Sequence, residues 1–372
     1  MNSMNALKFY SDILLRGNRY SKNFSLPDYI RDENGKFSRE KTLQRILEEE
    51  YGYVESANTH MDVELISEAA FLWGGKCKRS IFCFTLKKEQ ESSSFTVNLL
   101  QPQLYAGQDI PLIVFMNSTN DVPNRNLPGE ELMDLGVAIA QFNYDDIAND
   151  YLGDTALDNF SGGCARLLVN REKQYAAGKI AIWAYIAGQV GKYMLREGYV
   201  KAGNLYVAGQ SRLGKTALLT AATNEEFSGC LSNCSGCCGA AISREKHGES
   251  IEKINELAAY WFTPSFVKYN NRENEMPFDQ HYLLACIAPR KICIVTAEND
   301  TWADTDAQYL CAEAASVVYE EMGVVGLDKT NGELQTGFGT TKGNIAFSKR
   351  FGEHFLSRAD WKFFIDFIKG ND

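Results

Sequence analysis

The sequence predicts an α/β protein in which a mostly parallel central sheet is flanked by helices. Continuous apolar runs at residues 111–116 and 137–142 are typical of parallel strands that are buried on both faces. Strand-like and helical segments then alternate through much of the chain, as they do when crossover helices connect parallel strands. The chain has 372 residues, 45% of them hydrophobic, which is enough apolar material for one large core.

Two regions are predicted along the chain: an N-terminal extension at residues 1–60 and a main domain at residues 61–372. The extension is polar and mainly helical, includes a solvated helix over the charged run 38–50, and is predicted to pack on the main domain. The predicted strands are residues 80–86, 95–100, 111–116, 137–142, 204–208, 230–232, 291–296 and 344–347. The predicted helices are residues 176–197, a helix from residue 212, and a last helix through residue 368 that Ser357 and Asp360 begin as a capping box.

The net charge and the cysteine content indicate which partners and which cellular compartment to expect. Lys and Arg number 38 and Asp and Glu number 48, which gives a net charge of −10. An acidic chain without a basic block argues against nucleic acid and anionic membrane surfaces as partners. No stretch approaches 18 apolar residues, and residues 1–17 lack the apolar run and cleavage site of a signal peptide. We therefore expect a reduced, cytoplasmic protein, with most of its ten cysteines as free thiols in the core.

Residues 204–216 carry the most informative functional signal, a strand, a tight turn and a helix with Ser211 at the turn. A serine there projects above the sheet edge, and the N–H of the next residue can face a developing oxyanion. Gly209, two residues earlier, leaves room for the turn. The second small residue of such an elbow usually stands where this chain has Leu213, and Gly214 comes one residue later. The segment therefore predicts a serine nucleophile on an imperfect elbow.

The same residues permit a second interpretation. Gly209, Gly214, Lys215 and Thr216 satisfy the pattern G-x-x-x-x-G-K-[ST] after a strand and before a helix, which is the phosphate-binding P-loop of nucleotide-binding proteins. Against it, the strand comes late in the chain, and no convincing apolar strand ends in a magnesium-binding aspartate. An ordinary strand-to-helix turn without chemistry is the third interpretation.

A serine hydroxyl needs a base to remove its proton, and four histidines are available. His354 lies between the last predicted strand and the last helix, where an α/β-hydrolase carries its base. His60 lies in a polar connection before the sheet, His247 in a charged loop, and His281 at the start of a helical run as a structural hydrogen-bonding residue. His354 is therefore the predicted base, with an ordinary surface-loop histidine as the alternative.

The acid that orients the base is expected after an apolar strand, near the carboxyl edge of the sheet. The strand predicted at residues 291–296 is followed by an acidic loop in which Asp300 is the best candidate, with Glu298 and Asp304 as rivals. A solvated acidic loop is the alternative. With the serine and the histidine, Asp300 would complete a triad in the order Ser, acid, His, which predicts ester hydrolysis through an acyl-enzyme.

Further short segments occur in a fixed order along the chain. They are GQSRLGK at residues 209–215, GESIEKIN at 248–255, YWF at 260–262, PFDQH at 277–281, IAPR at 287–290, WAD at 302–304, and His354 followed by Asp360 and Trp361. Over roughly residues 40–370 the chain resembles the glucuronoyl esterase family of carbohydrate esterases, in the α/β-hydrolase superfamily. Several ordered segments are more specific than the elbow alone, so the resemblance favours the esterase over the nucleotide-binding protein.

The resemblance implies roles for the matching residues. Ser211 would be the nucleophile and His354 the base, while Arg212 would stabilise the oxyanion with its backbone N–H and guanidinium. The residues that would contact the uronate sugar are Lys215, Trp302 and Glu249.

The chain also departs from the family pattern. Gln210 stands where most members have Cys or His, and Cys234 stands where many members carry the triad acid in a Glu-Ser-Gly segment. Asp300 then becomes the acid, as in members that use the later strand. Because this subgroup is often labelled acetyl xylan esterase, an acetyl esterase acting on xylo-oligosaccharides is the alternative substrate assignment.

No cofactor and no metal ion are expected. The cysteines at 230, 234, 237 and 238 are spaced too irregularly for the paired ligands of a structural zinc site, so we expect them to be small packing residues. The expected substrate is a small carbohydrate ester, foremost a (4-O-methyl)glucuronoyl ester on an oligosaccharide. From other classes, a P-loop nucleotide-binding protein and a sugar-binding relative without activity are the alternatives.

Overall fold

The structure, a computed structural model, describes residues 24–151, 160–328 and 334–370. Within these ranges, ten strands form one sheet. In chain order they are β1 (Thr59–Leu72), β2 (Cys77–Lys88), β3 (Glu91–Pro102), β4 (Leu112–Asn117), β5 (Ala138–Asn143), β6 (Leu205–Gln210), β7 (Gly229–Asn233), β8 (Lys291–Ala297), β9 (Phe338–Thr340) and β10 (Ile345–Arg350). Across the sheet the order is β1-β2-β3-β5-β4-β6-β7-β8-β10-β9.

The centre of this sheet is parallel. Strands β5, β4, β6, β7, β8 and β10 pair in parallel, whereas β1, β2, β3 and β9 pair antiparallel with their neighbours. The predicted fold class is confirmed. Because the carboxyl ends of parallel strands meet at one edge, the loops that follow β6, β7, β8 and β10 converge there.

Helices cover both faces of the sheet. They are α1 (Arg39–Ile46), α2 (Gly129–Asp134), α3 (Ala165–Leu168), α4 (Lys179–Arg196), α5 (Arg212–Thr223), α6 (Ile251–Ala258), α7 (His281–Ala285), α8 (Thr305–Glu321) and α9 (Arg358–Lys369). Short 3₁₀ helices cover Gln103–Tyr105, Tyr144–Asp146, Ala259–Trp261, Pro264–Tyr269 and Glu273–Glu275, and a π-helical turn covers Leu47–Tyr51. None of the helices in the described ranges combines the length and the apolar character needed to cross a membrane.

Strand β4 shows how one sheet supports two cores. All six of its residues are buried, and successive side chains point to opposite faces. Val114 packs in the larger core with helices that include α4 and α5. Phe115 packs in the smaller core, where its ring lies 5.1 Å from that of Trp361 on α9. Burial on both faces explains why this strand is a continuous apolar run rather than an alternating one.

The eight predicted strands are all present, but two others were not predicted. Strand β1 lies at the sheet edge and is mostly exposed, so it lacks the apolar alternation by which a strand is recognised. His60 therefore belongs to this strand and not to a connection before the sheet, and its exposed ring contacts Asp62 at 2.7 Å. Strand β9 has three residues and exists only through its pairing with β10.

The described part of the predicted N-terminal extension contains α1 and the π-helical turn. The charged run 38–50 is not solvated throughout, because Ile46 and Glu50 within it are fully buried against the main body, as is the next residue, Tyr51. The first strand begins at Thr59, close to the predicted boundary at residue 60. Residues 1–23, where the sequence predicts helix and no signal peptide, lie outside the described residues. The cytoplasmic location stays a prediction.

Candidate active site

Ser211 lies on a sharp turn between the central strand β6 and helix α5. Its backbone has φ 58° and ψ −124°, a conformation that side chains rarely adopt outside functional sites. The turn is fixed by a hydrogen bond from the Ser211 N–H to the carbonyl of Asn233, at the end of β7. Arg212 is the first residue of α5, so its N–H has no partner within the helix and remains available at the turn.

Two glycines allow this turn. A Cβ at Gly209 would lie 2.1 Å from the carbonyl oxygen of Leu213, so no larger residue fits there. A Cβ at Gly214 would lie 3.0 Å from the Ser235 Cβ, where α5 approaches the loop after β7. The close approach that restricts side-chain size therefore falls at residue 214, which explains why Leu213 is compatible with the elbow.

Asp300 and His354 meet because β8 and β10 are neighbours. Ala297 at the end of β8 is in register with Arg350 at the end of β10, and the two chains stay together beyond the strands. The Asn299 N–H donates to the carbonyl of Gly352 at 2.9 Å. The predicted side-chain contact is present, because the Nδ1 of His354 lies 2.7 Å from the Oδ2 of Asp300.

The environment favours the ionised form of Asp300. Burial raises the pKa of this carboxyl, but the hydrogen bonds and charge of His354 and the N–H of Ala303 outweigh burial, so its pKa lies below the usual value. The rival acids have other partners. Glu298 is exposed and pairs with Lys349 at 2.9 Å, and Asp304 caps α8 by accepting a hydrogen bond from the Ala307 N–H.

Cys234 is the third group at this position. The sulfur of Cys234, a carboxylate oxygen of Asp300 and a ring nitrogen of His354 all lie within 4.8 Å of one another. Burial, together with the negative charge of Asp300, raises the pKa of Cys234 well above its usual value, so the group is a neutral thiol. The sulfurs of Cys237 and Cys238 lie 3.8 Å apart and are also buried.

Hydrogen bonds from Arg350 hold the loop that carries His354 in place. The Arg350 guanidinium donates to the carbonyls of Phe351 and Glu353, each at 3.2 Å, and also to the carbonyl of Phe355. Its Nε donates to Asp360 at 2.7 Å, and Asp360 also accepts the N–H of residue 357 in the predicted capping box. One buried carboxylate thus fixes both the start of α9 and the loop around His354.

Asp150 holds the Arg212 guanidinium much as Asp360 holds that of Arg350. No sequence motif pointed to Asp150. Its side chain is fully buried and accepts hydrogen bonds from Tyr260 at 2.8 Å and from the indole of Trp261 at 2.9 Å. It also pairs with the Arg212 guanidinium, which lies over the Trp261 ring at 5.0 Å. Burial lowers the pKa of Arg212, but the negative charge of Asp150 outweighs burial and raises it, so Arg212 stays charged.

An open cleft of about 300 Å³ lies above Ser211. Arg212 and His354 line it, so three of the predicted site residues share one cavity. The lining residues that sequence reasoning missed include Asn117, Arg125, Asn126, Tyr144 and Phe355. They come from the end of β4 and from the loops after β4, β5 and β10, and only the sheet order brings these segments together.

Lys215, Glu249 and Trp302 lie together, but they do not line this cleft. Lys215 is 3% exposed, and its Nζ donates to the carbonyl of Ser235 at 2.6 Å and lies 3.6 Å from Glu249. The Glu249 N–H donates to the carbonyl of Trp302, which is 44% exposed. Their sugar-binding role stays a prediction. A lysine committed to a buried carbonyl and a carboxylate does not suit a P-loop, whose lysine reaches the nucleotide phosphates.

A model of the family described as glucuronyl esterase of fungi matches residues 84–323, which include the elbow and the Asp300 loop. The chain belongs to the glucuronyl esterase family. A carbohydrate esterase from an unknown prokaryotic organism is 37% identical over 190 residues, which are 51% of this family member and 44% of the relative. The 4-O-methyl-glucuronoyl methylesterase of Podospora anserina is 26% identical over 256 residues, or 66% and 50% of the two chains.

A solved structure overlaps almost the whole of this glucuronyl esterase family member. The glucuronoyl esterase from Solibacter usitatus superimposes with a TM-score of 0.83 at 25% identity, covering 95% of this chain and 99% of that one. By contrast, this chain spans about half the length of the curated relatives that it matches.

Proposed function

We propose that this protein is a serine esterase that hydrolyses (4-O-methyl)glucuronoyl esters of small carbohydrates. One observation carries the proposal: Ser211, on a strained turn at the start of a helix, shares a cleft with a histidine whose Nδ1 contacts a buried aspartate. Membership of the glucuronyl esterase family supports the substrate class, since the relative from Podospora anserina is a 4-O-methyl-glucuronoyl methylesterase.

In the proposed mechanism, the Nε2 of His354 accepts the Ser211 proton while the hydroxyl oxygen attacks the ester carbonyl. Asp300 accepts a hydrogen bond from Nδ1, which fixes the tautomer of His354 and stabilises the imidazolium that forms. The developing oxyanion is stabilised by the free N–H of Arg212 and by its guanidinium. The alcohol leaves with the proton from His354, and water, deprotonated by the same histidine, then hydrolyses the acyl-enzyme.

Arg212 is pre-organised for this role. Asp150 fixes its guanidinium from the protein side, and the Trp261 ring lies beneath it, so the group does not have to reorient as charge develops. Of the three predicted sugar-contacting residues, Lys215 and Glu249 are buried and pair with each other, so we propose that the exposed Trp302 contacts the uronate sugar. An exposed indole such as Trp302 offers a flat apolar surface to the C–H face of a sugar ring.

A paired assay tests the proposal. A methyl or benzyl glucuronate ester and an acetylated xylo-oligosaccharide are compared by kcat/KM, and the uronate ester is expected to be the better substrate. Ser211→Ala should abolish turnover of both while the melting temperature stays within a few degrees of the wild type, and a serine-directed phosphonate should label Ser211 alone. A preference for the acetyl ester would move the assignment to acetyl esterase, and an active Ser211→Ala variant would exclude the serine mechanism.

Trp302→Ala separates sugar recognition from chemistry. Because the indole would contact only the sugar ring, the variant should lose at least tenfold in kcat/KM on the uronate ester and much less on 4-nitrophenyl acetate. Phe351→Ala is the matched control, because Phe351 is also an exposed aromatic residue but is not predicted to contact the sugar. Equal losses on both substrates would contradict the assigned role of Trp302.

A further inference from the structure

We infer that Cys234, Asp300 and His354 form a binding site for Zn²⁺, and that zinc bound there switches the esterase off. The three side chains offer one sulfur, one carboxylate oxygen and one imidazole nitrogen, all within 4.8 Å of one another. Three protein ligands of these types, with a fourth position open to water, are the donor set of mononuclear zinc sites. The inhibition rests on the proposed esterase function, whereas the binding does not.

The three ligands differ in exposure in a way that suits the entry of a metal ion. Cys234 and Asp300 are buried and fixed at the ends of β7 and β8, where the Cys234 N–H donates to the carbonyl of Val295 at 2.8 Å. His354 is about two-fifths exposed on a loop at the open cleft. Two anchored ligands at the base and one accessible ligand at the rim leave a path by which an ion can reach all three.

The charges of the site balance those of a divalent cation. A thiolate and a carboxylate together carry two negative charges, and the neutral imidazole adds none, so the filled site is neutral. Binding releases the thiol proton to water. His354 gives up the Nδ1 proton that faces Asp300 and carries its one proton on Nε2 instead, so the imidazole binds the ion in its neutral form. The contact of 2.7 Å between Nδ1 and Oδ2 must open slightly, because ligand bonds of about 2.0–2.1 Å to one tetrahedral ion hold such atoms roughly 3.3 Å apart.

Zinc occupation would remove two of the functions that the triad needs. Asp300 could no longer orient the imidazole, and a metal-bound His354 could not accumulate the positive charge of an imidazolium.

The chemistry of the three ligands also determines which metal ions the site prefers. A site with one sulfur and one nitrogen favours Zn²⁺ and Co²⁺, whereas Mg²⁺ and Ca²⁺ prefer sites made of oxygen ligands.

Inhibition is measured with free Zn²⁺ set by a chelator buffer, and each variant is compared with its own metal-free rate. The wild type should be inhibited reversibly, with recovery on excess EDTA, and Mg²⁺ should have no effect even in large excess over Zn²⁺. Cys234→Ser and Cys234→Ala should each need at least tenfold more Zn²⁺ for half inhibition. Cys83→Ser is the matched control, because Cys83 is a partly exposed thiol on β2, away from the site, and it should behave as the wild type.

Binding is measured separately, so that it does not depend on activity. Titration with Co²⁺ should give one thiolate-to-cobalt charge-transfer band per chain in the wild type and in Ser211→Ala, but none in either Cys234 variant. A band that persists without Cys234, or inhibition that is equal in all variants, would overturn the site. Binding without inhibition of an active enzyme would overturn the switch, while an inactive enzyme that still binds one ion would refute only the proposed function.

Discussion

At the scale of single residues, the contact between Asp300 and His354 is the one on which the proposed chemistry depends most. Asp300 combines burial with a pKa below its usual value, so it carries a negative charge beside the imidazole throughout the neutral range. Cys234 cannot replace it, because a neutral thiol accepts hydrogen bonds weakly and carries no charge. We therefore place the proposed triad acid on the loop after β8 and not on the loop after β7.

Asp300→Asn should lower kcat by about 10⁴-fold, because an amide neither fixes the productive tautomer nor stabilises the imidazolium. Steady-state kinetics on a glucuronate ester would measure the loss, and the melting temperature would report folding. Asp304→Asn is the control, since Asp304 is a buried carboxylate on the same loop that caps α8 and contacts the His247 N–H. Near-normal activity of Asp300→Asn, or an equal loss in Asp304→Asn, would refute the triad.

Asp150→Asn tests the support of Arg212 by a buried carboxylate. The amide can still accept the hydrogen bonds of Tyr260 and Trp261, but it cannot balance the guanidinium charge. We expect kcat to fall about tenfold to hundredfold, less than the loss of a whole oxyanion-hole donor, with little change in KM. Asp366→Asn replaces a partly exposed carboxylate on α9 that pairs with Lys362 and should change neither constant. A change in KM alone would place Asp150 in substrate binding instead.

At the scale of secondary-structure elements, the order of the strands across the sheet brings the site residues together. The ends of β6, β7, β8 and β10 follow one another across the sheet and supply, in turn, Ser211, Cys234, Asp300 and His354. The start of α9 takes part as well. Its capping residue Asp360 holds Arg350, which holds the His354 loop, so the start of this helix constrains the position of His354.

Arg350→Met should loosen this loop. The variant loses the hydrogen bonds to three carbonyls and leaves Asp360 without its cation, which we expect to cost roughly 3 kcal/mol in the free energy of unfolding and at least tenfold in kcat. Arg350→Lys keeps the charge but cannot bridge the same partners, so its kcat should fall in between. Arg358→Met, which breaks only a solvent-exposed pair with Glu131, should stay within about 1 kcal/mol of the wild type. A normal kcat in Arg350→Met would show that the His354 loop keeps its position without Arg350.

At the scale of the whole molecule, the segment before β1 is part of the main core. Tyr51 donates to the carbonyl of Cys238 at 2.7 Å, behind the site, and Glu50 accepts a hydrogen bond from Gln280 at 2.7 Å. Burial raises the pKa of Glu50 to about 7, against the hydrogen bonds that lower it. We therefore expect the docking of this segment to depend on pH in the neutral range.

The sign of that dependence follows from the raised pKa. The folded protein keeps the Glu50 proton up to about pH 7, while the unfolded chain releases it near pH 4.5, so this contribution to stability is complete below pH 4.5 and is lost as the pH rises through 7. Glu50→Gln has no such proton. The difference in free energy of unfolding between Glu50→Gln and the wild type should rise in favour of the variant by up to about 3 kcal/mol from pH 5 to pH 8, as measured by urea denaturation. A constant difference between the two proteins across this range would show that Glu50 does not titrate in the fold.

Local signals in the chain were sufficient for the parallel strands, the serine elbow, the capping box of α9 and the contact between Asp300 and His354. Each depends on apolar runs, turn residues or chain order, which are properties of neighbouring residues. Strand β1, the partners of Asp150 and Arg350, and the lining of the cleft were not predictable in this way. They depend on contacts between residues far apart in the chain, because a mostly exposed strand has no apolar pattern and a buried charge carries no local sign of its partner.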